Sequence, residues 1–259
     1  MKRLCLLIFL LLIFLVSYPE PTLAVPQQGT GVPAQLPGIN LQLTSPGNPQ
    51  QVVDSVKILV LLTILSLAPA ILITVTSFTR IIVVLSLLRS ALGVQQAPPN
   101  QVLIALAIFL TIFIMTPVVK QINEQALEPY LQNKISQQDA FTAASAPLKQ
   151  FMLKNTREKD LELFVALNQK QRPRNAAELE LSTVIPAFMI SELKTAFQMG
   201  VMLYIPFLVI DMVVASTLMS MGMFMLPPVM ISLPFKILLF VMVDGWYLVV
   251  KSLVESFAR

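Results

Sequence analysis

The residues with the clearest chemical potential are two aspartates, Asp211 and Asp244, which stand in long apolar segments of the sequence. Two carboxylates on neighbouring helices could relay protons, or they could form the catalytic pair of an intramembrane aspartyl protease. Such a protease carries one aspartate in a Gly-x-Gly-Asp setting, whereas Asp244 follows Val-Met-Val and precedes Gly245. We therefore favour a structural role, in which buried ion pairs fix the register and the partners of packed helices.

Six ionisable residues lie within or against the apolar segments, and we expect them to be buried. An unpaired charge in hydrocarbon costs on the order of 2.5 to 3.5 kcal/mol by insertion scales, so each of them must face protein or water. The six are Arg80, Glu192, Lys194, Asp211, Lys236 and Asp244. Because Glu192 and Lys194 are two positions apart, they lie on different sides of a helix and should have separate partners.

The sequence lacks the residues on which most catalytic and metal sites depend. It has no histidine, so the commonest general base and the commonest zinc ligand are both missing. Its one cysteine, Cys5, lies in a segment that we expect to be removed. A nucleotide loop of the GxxxxGK type, followed by Ser or Thr, is also missing. We therefore expect no enzyme activity, no cofactor and no metal, and the net charge of +4 is too small to indicate nucleic-acid binding.

The composition indicates a chain whose solvent is partly lipid. Hydrophobic residues make up 56% of it and charged residues only 12%, against about 25% charged residues in an average soluble domain. Residues 1–24 have the basic start, the apolar centre and the small residues near the end that are typical of a cleavable signal peptide. A short first transmembrane helix is the alternative. The Pro- and Gly-rich segment 25–51 is predicted to be a flexible mature N-terminus.

Four long apolar segments predict an all-α, polytopic membrane-type fold with kinked helices. Residues 52–119 form a first helical hairpin, and its first segment, interrupted by TSFTR, is too long for one simple span. Residues 120–183 carry charges and apolar residues at helical spacing, and they predict a small helical domain. Cleavage of the signal peptide would leave the new N-terminus outside, so two crossings place this domain on the periplasmic side. Residues 184–259 form a second hairpin with a methionine-rich loop at 219–228.

The sequence of this loop, MSMGMFMLPP, carries no charge and no catalytic side chain. Met219, Met221, Met223 and Met225 alternate with other residues, among them Gly222 and Phe224, before two prolines end the stretch. Methionine is unbranched, polarizable and adaptable, so such a cluster suits either an ordinary core or a soft closure around a passage. The residues alone leave both interpretations open.

Five long segments of the sequence are distinctive. They are SFTRIIVVLSLLRSALG (77–93), PPNQVLIALAIFLTIFIMTPV (98–118), PAFMISELKTAFQMG (186–200), IPFLVIDMVVASTLMSMGMFMLPP (205–228) and ISLPFKILLFVMVDGW (231–246). Together they resemble the FliP family of flagellar type III export-gate membrane proteins. TRE at 156–158 and NEQALEPY at 123–130 resemble the periplasmic domain of that family. The resemblance covers almost everything after residue 54.

The resemblance implies a protein-conducting channel rather than an enzyme. In this family the subunits form a homo-oligomer, a pentamer, which joins FliQ and FliR in a helical, closed gate, with FlhB, FlhA and the MS ring as further partners. The gate belongs to the flagellar basal body at the bacterial inner membrane, and part of it sits on the periplasmic side within the basal-body ring. It passes unfolded flagellar export substrates during flagellum assembly.

The resemblance also implies roles for particular residues. A pore gasket is expected at Met223, Phe224 and Met225, with Met219, Met221 and Gly222 beside it. Family members commonly carry three methionines in a row, so Phe224 departs from the pattern. Ion pairs between subunits are expected to join Arg157 with Glu192 and Asp211 with Lys236, while Arg80, Lys194 and Asp244 are the other charges expected to be buried.

Two alternative functions remain open from the sequence. The injectisome counterpart, of the SctR type, shares the core segments, although a cleavable signal and a Pro-rich N-terminus are more typical of the flagellar member. A proton-coupled small-solute transporter is the alternative from another class. A transporter should fold alone in a bilayer, whereas a gate subunit should be isolated as a multi-copy complex.

Overall fold

The computed structural model describes residues 49–94, 97–167 and 179–258, and every regular element within these ranges is helical. The predicted signal peptide and all but the last residues of the predicted N-terminal segment lie outside the described residues. The chain divides into two units, residues 1–54 and 55–259, and all the packing described below lies within the second.

The regular elements of the described ranges follow one another along the chain in this order. They are α1 (Pro49–Val75), α2 (Phe78–Leu92), α3 (Asn100–Ile122), a π-helical turn (Asn123–Leu127), α4 (Glu128–Leu131), α5 (Gln137–Asn155), α6 (Glu158–Leu167), α7 (Leu181–Ser220), α8 (Pro228–Met242) and α9 (Gly245–Ala258). The predicted amphipathic helices between residues 120 and 183 correspond to α5 and α6.

The first apolar segment is broken between α1 and α2, as the sequence predicted. The break lies at residues 76 and 77, whereas Pro69 lies inside α1 without ending it. Threonine hydroxyls satisfy carbonyl groups that the end of α1 leaves free. Thr76 Oγ1 donates to the Leu72 carbonyl at 2.5 Å, and Thr79 Oγ1 donates to the Ile73 carbonyl at 2.7 Å.

Helix α2 forms the centre of the core, because α7, α3 and α8 all pack against it. Its fully buried apolar residues include Ile81, Val84, Leu85 and Leu88. They join buried side chains from the other helices, namely Leu103, Ala107, Ala196, Phe207, Phe240, Val249, Leu253 and Phe257. The apolar residues of α1, by contrast, are largely exposed.

Within the described residues, three helical stretches are long and apolar enough to cross a membrane. They are Ile58–Val75, Asn100–Leu131 and Leu181–Ser220, and the bent pair α8 and α9 adds a fourth if it forms one span. Most side chains of these stretches point away from the core of the single chain. The predicted all-α, polytopic membrane-type fold is therefore confirmed.

The last apolar segment differs from the prediction, because it is broken into α8 and α9 with a bend of 64°. Asp244 lies at the break with φ +51°, a left-handed conformation that aspartate adopts more readily than most residues. Gly245 then begins α9 against the ring of Phe240. A Cβ on Gly245 would lie 2.2 Å from Phe240 Cε2, so only glycine fits here without a shift of that ring.

Replacing Gly245 with alanine should lower the free energy of unfolding by about 1 to 3 kcal/mol, because the buried Phe240 ring must move. That ring also lies against Phe207 and Trp246, with centroid distances of 6.4 and 5.5 Å. Since Trp246 is the only tryptophan, its fluorescence reports thermal unfolding in detergent. Adding Phe240→Leu should recover part of the loss, and an unchanged melting temperature for the alanine variant would contradict the close approach.

A second, smaller core joins α5 and α6 to the start of α7. It is built from the buried residues Val75, Met152, Leu179, Val184 and Phe188. Phe151 on α5 connects the two cores, since its ring lies 6.0 Å from Phe188 and 6.1 Å from Phe257. The helical region after α4 is therefore packed onto the same bundle that holds the C-terminal helix.

Candidate functional site

The methionine-rich loop begins where α7 ends, and the end of the helix has a well-defined hydrogen-bond pattern. The Gly222 amide donates to the Met219 carbonyl, and the Met223 amide donates to the Leu218 carbonyl, both at 3.0 Å. Gly222 has φ +75°. These features form a Schellman motif, in which glycine takes the left-handed position after the last helical turn. A Cβ on Gly222 would meet nothing within 4 Å, so the backbone conformation and not space explains the glycine.

Two prolines close the other end of the loop. Pro227 precedes α8 and Pro228 is its first residue, a position that proline favours because its missing N–H has no intrahelical partner there. The Met230 amide donates to the Pro227 carbonyl at 3.1 Å and completes the first turn. The loop is thus short, and it is held by a glycine at one end and by prolines at the other.

The side chains of this loop are strongly exposed in the single chain. Met225 is 96% exposed and Phe224 is 78% exposed. Met219, Met221, Met223 and Leu226 are exposed as well. A contiguous apolar patch of this kind marks an interaction surface and not a core. The structure therefore brings Met221 to Met225 together in one exposed loop and places Met219 in the last turn of α7 just before it.

Arg80 and Glu192 form the most buried ion pair of the described residues, between α2 and α7. The Arg80 side chain is 4% exposed and the Glu192 side chain 0%. Arg80 Nε donates to Glu192 Oε2 at 2.9 Å, and a second guanidinium nitrogen contacts Oε1. The remaining nitrogen donates to the Ser256 carbonyl at 3.2 Å and to Ser256 Oγ at 2.9 Å, while the Phe257 ring centroid lies 3.7 Å from Arg80 Cζ.

This arrangement corrects the predicted pairing of Glu192 with Arg157. Glu192 is satisfied by Arg80 of the same chain, because α2 is buried directly against α7. Arg157 instead donates from its guanidinium to Thr195 Oγ1 at 3.2 Å and also contacts Gln198 Oε1. Its backbone amide donates to Ser191 Oγ at 2.8 Å, so Arg157 joins the start of α6 to α7 through neutral partners.

The predicted partners Asp211 and Lys236 do contact each other, but they do so within one chain, between α7 and α8. Lys236 Nζ lies 2.6 Å from Asp211 Oδ2 and donates to the Ala91 carbonyl at 3.3 Å. That carbonyl belongs to the last turn of α2, where a cation is favourable. Ser232 Oγ donates to Asp211 Oδ1 at 2.5 Å. The structure thus shows this pair joining helices of one chain.

Arg80 is buried in the single chain, whereas Lys194 and Asp244, which were also predicted to be buried, are not. Both side chains are exposed. Lys194 lies on the side of α7 that faces away from α2, and Asp244 lies at the outer bend between α8 and α9. In the described residues no group of three or more His, Cys, Asp or Glu side chains could hold a metal ion.

The sequence interpretation missed the serines that complete these polar sites, namely Ser191, Ser232 and Ser256. Ser232 is buried and lies four residues before Lys236, on the same face of α8. That spacing is a signal that could have identified it. Ser191 accepts from Arg157 and donates to Asp160 Oδ2 at 2.8 Å. Nothing in the local sequence around Ser256 indicates a contact with Arg80, 176 residues away.

The model of the FliP family matches residues 61–253. The match includes all of these helices except the first part of α1 and the last turn of α9. The chain belongs to the FliP family. The family predicted from the sequence motifs is therefore confirmed.

Named relatives are similar over most of their own length. The flagellar biosynthetic protein FliP of Bacillus subtilis is 59% identical over 217 residues, which cover 84% of this chain and 98% of the relative. The FliP protein of Aquifex aeolicus is 54% identical over 226 residues, covering 86% and 93%. That of Caulobacter vibrioides is 57% identical over 222 residues, covering 85% and 82%.

Family membership makes this FliP-family chain a membrane-associated subunit of the flagellar export apparatus, as the sequence predicted. The similarity to flagellar relatives does not favour the injectisome or the transporter alternative.

Proposed function

We propose that several copies of this chain form a protein-conducting export gate in which the loop at 219–228 closes the passage. The observation that supports this proposal is the strong exposure of Phe224 and Met225 in a loop whose ends are held by Gly222 and two prolines. Covering exposed apolar side chains with those of identical neighbours removes apolar surface from water and stabilises the assembly. A ring of such loops would exclude water and ions without presenting any group that binds a substrate specifically.

Methionine suits this task because its side chain adapts to different neighbours. The loop carries no charge and no catalytic group, so an unfolded flagellar protein could pass without making lasting hydrogen bonds. Phe224 adds a rigid aromatic ring at the most exposed part of the loop.

The proposal includes the assembly in which the gate works. FliQ and FliR complete a helical complex with a homo-oligomer of this chain, a pentamer, and FlhB, FlhA and the MS ring surround it at the inner membrane and the basal body. The exposed apolar faces of α1 and α7 support this proposal, since they need lipid or protein against them. Residues 1–24 are proposed to be removed, and residues 120–183 to lie on the periplasmic side.

Replacing Met223, Phe224 and Met225 together with alanine should make the cell membrane leak ions. Smaller side chains leave a hydrophobic constriction wider, and such constrictions exclude ions by keeping the passage dry. We expect the leak to rise about tenfold or more, since each ~1.4 kcal/mol removed from a barrier raises a rate tenfold. The measurement is ion conductance or membrane depolarisation in cells that produce the assembled complex.

The matched control is Met230→Ala, because Met230 is exposed but lies on α8 outside the loop. That variant should keep the membrane tight. Phe224→Met restores three consecutive methionines and should also remain tight. A triple alanine variant that assembles normally and shows no leak would rule out the loop as the closure.

Isolation of the complex tests the assembly separately from the closure. A tagged chain extracted in mild detergent should be recovered in several copies together with FliQ and FliR. Recovery only as a stable single chain would contradict the proposed gate, whatever the loop variants do.

A further inference from the structure

The charged residues of α7, α8 and α9 are almost all paired within the chain. Glu192 pairs with Arg80 and Asp211 pairs with Lys236, while Lys251 Nζ lies 3.9 Å from Glu255 Oε1 one turn further along α9. Across these three helices and the break between α8 and α9, as the structure describes them, only Lys194 and Asp244 are left without an oppositely charged partner. The two residues that remain carry opposite charges.

Both of these residues stand in the middle of exposed apolar surface. Lys194 lies on the same side of α7 as Ile190 and Phe197, which are four residues before it and three residues after it, and both are exposed. Asp244 follows Val241, Met242 and Val243, which are exposed as well. When a partner covers such an apolar surface, the charge in its centre loses water and needs a counter-charge.

Within one chain, Lys194 and Asp244 are separated along the axis of α7. Asp211 contacts Lys236, and Phe207, four residues earlier on α7, contacts Phe240, four residues later on α8. The two helices therefore run antiparallel. Extrapolated by the same step two residues past the end of α8 at Met242, residue 244 falls close to the level of residue 203 of α7. Lys194 precedes residue 203 by nine residues of α7, which corresponds to about 13 Å along the helix at 1.5 Å per residue.

We propose that Lys194 of one copy forms an ion pair with Asp244 of the neighbouring copy. This inference rests on the proposed multi-copy gate and names one contact that builds it. A head-to-tail interface joins two different surfaces of the same chain, and it repeats around an assembly. The surface around Lys194 and the surface around Asp244 meet that requirement, because both are apolar, they lie on different helices and their charges are complementary.

The backbone holds Asp244 in position for such a contact. Its amide donates to the Val241 carbonyl and its carbonyl accepts from the Leu248 amide, both at 3.1 Å, so the bend that presents the carboxylate is fixed at both sides. Lys194 supplies a long side chain that can reach toward it. The two residues of one chain are about 13 Å apart along the axis of α7. For the contact to form, a neighbouring copy must therefore be shifted along that axis, or tilted relative to it, so that its Asp244 reaches the level of Lys194.

Cysteine cross-linking between differently tagged copies tests the contact in the full complex. One chain carries Lys194→Cys and the other carries Asp244→Cys, both in a Cys5→Ser background so that no other cysteine is present. Each chain of such a mixed assembly still carries one of the two native charges, because one chain keeps Asp244 and the other keeps Lys194. We expect an oxidant to join the two tagged chains, while Lys120→Cys, an exposed position on α3, should give no product with Asp244→Cys.

The outcomes separate this inference from the proposed function. If the wild-type chain forms a multi-copy complex but no product joins positions 194 and 244, the inference is overturned while the gate remains. If the wild-type chain forms no multi-copy complex, the proposed gate itself fails. A product between the two positions in an assembled complex supports both.

Charge reversal gives a second, independent test that leaves the cysteines out. Lys194→Asp and Asp244→Lys each place like charges together, so each single variant should lower the assembled fraction about tenfold or more. The double variant restores opposite charges and should recover assembly. Lysine adopts a positive φ less readily than aspartate, so the melting temperature of each single chain is recorded to detect a loss of stability in the backbone at residue 244. Asp244→Asn combined with Lys194→Met is compared as a double variant without charge. Singles that assemble like the wild type, or a double variant that assembles no better than the singles, would overturn the pairing.

Discussion

Replacing Glu192 with leucine should unfold the chain or reduce it to traces, because Arg80 would remain charged and buried. Breaking a buried ion pair from one side costs about 3 to 5 kcal/mol, a large part of the stability of most proteins. Arginine cannot lose its proton in a protein, so the guanidinium keeps its charge with only Ser256 and the Phe257 ring beside it. Arg80→Met should lower the free energy of unfolding less than Glu192→Leu does, since the Glu192 carboxylate without its partner can be protonated.

Thermal unfolding in detergent, followed by the fluorescence of Trp246, measures both variants. Lys251→Met is the matched control, because it breaks an exposed ion pair that contributes at most about 1 kcal/mol. The double variant Arg80→Met with Glu192→Leu replaces both charges by apolar groups and should recover most of the lost stability. A Glu192→Leu protein that melts with the wild type would show that Arg80 does not depend on this partner.

Replacing Asp211 with alanine should destabilise the chain more than replacing its partner Lys236 with methionine. The Lys236 side chain is 3% exposed, whereas the Asp211 side chain is 31% exposed. Loss of the carboxylate therefore leaves a buried ammonium group with only the Ala91 carbonyl, at a cost of about 3 kcal/mol. Loss of the ammonium leaves a partly hydrated carboxylate that still accepts from Ser232, and we expect a cost of about 1 kcal/mol.

The same unfolding measurement orders these variants, and Ser232→Ala is a useful companion. It removes only the hydroxyl that donates to Asp211, so it should lower the free energy of unfolding by about 1 kcal/mol. Equal losses for Asp211→Ala and Lys236→Met would show that the difference in burial does not control the stability of this pair. A larger loss for Lys236→Met would contradict the argument directly.

The sequence predicted the parts of this fold that depend on local chemistry. The break after α1 follows from TSFTR, whose hydroxyls compete for backbone carbonyls. The need for paired charges followed from their cost in an apolar setting. The bend between α8 and α9 could also have been predicted, because Asp244 and Gly245 form a dipeptide that marks turns.

The partners of the charges could not be predicted in the same way. Arg80 and Glu192 are 112 residues apart, and no local pattern links them. Helix α7 is apolar nearly all round, so its sequence does not show which side faces the core. This is why Lys194 was expected to be buried although it lies on the outer side, two residues from the fully buried Glu192.

The contact between Arg80 and Ser256 has a consequence for the order of events on the ribosome. The 176 residues between them take about 9 to 35 s to translate at 5 to 20 residues per second. Throughout that time the nascent chain carries a guanidinium group in an apolar segment whose last ligands have not yet been synthesised. The central helix therefore reaches its final environment only when translation is nearly finished, and a stalled ribosome would leave it incomplete.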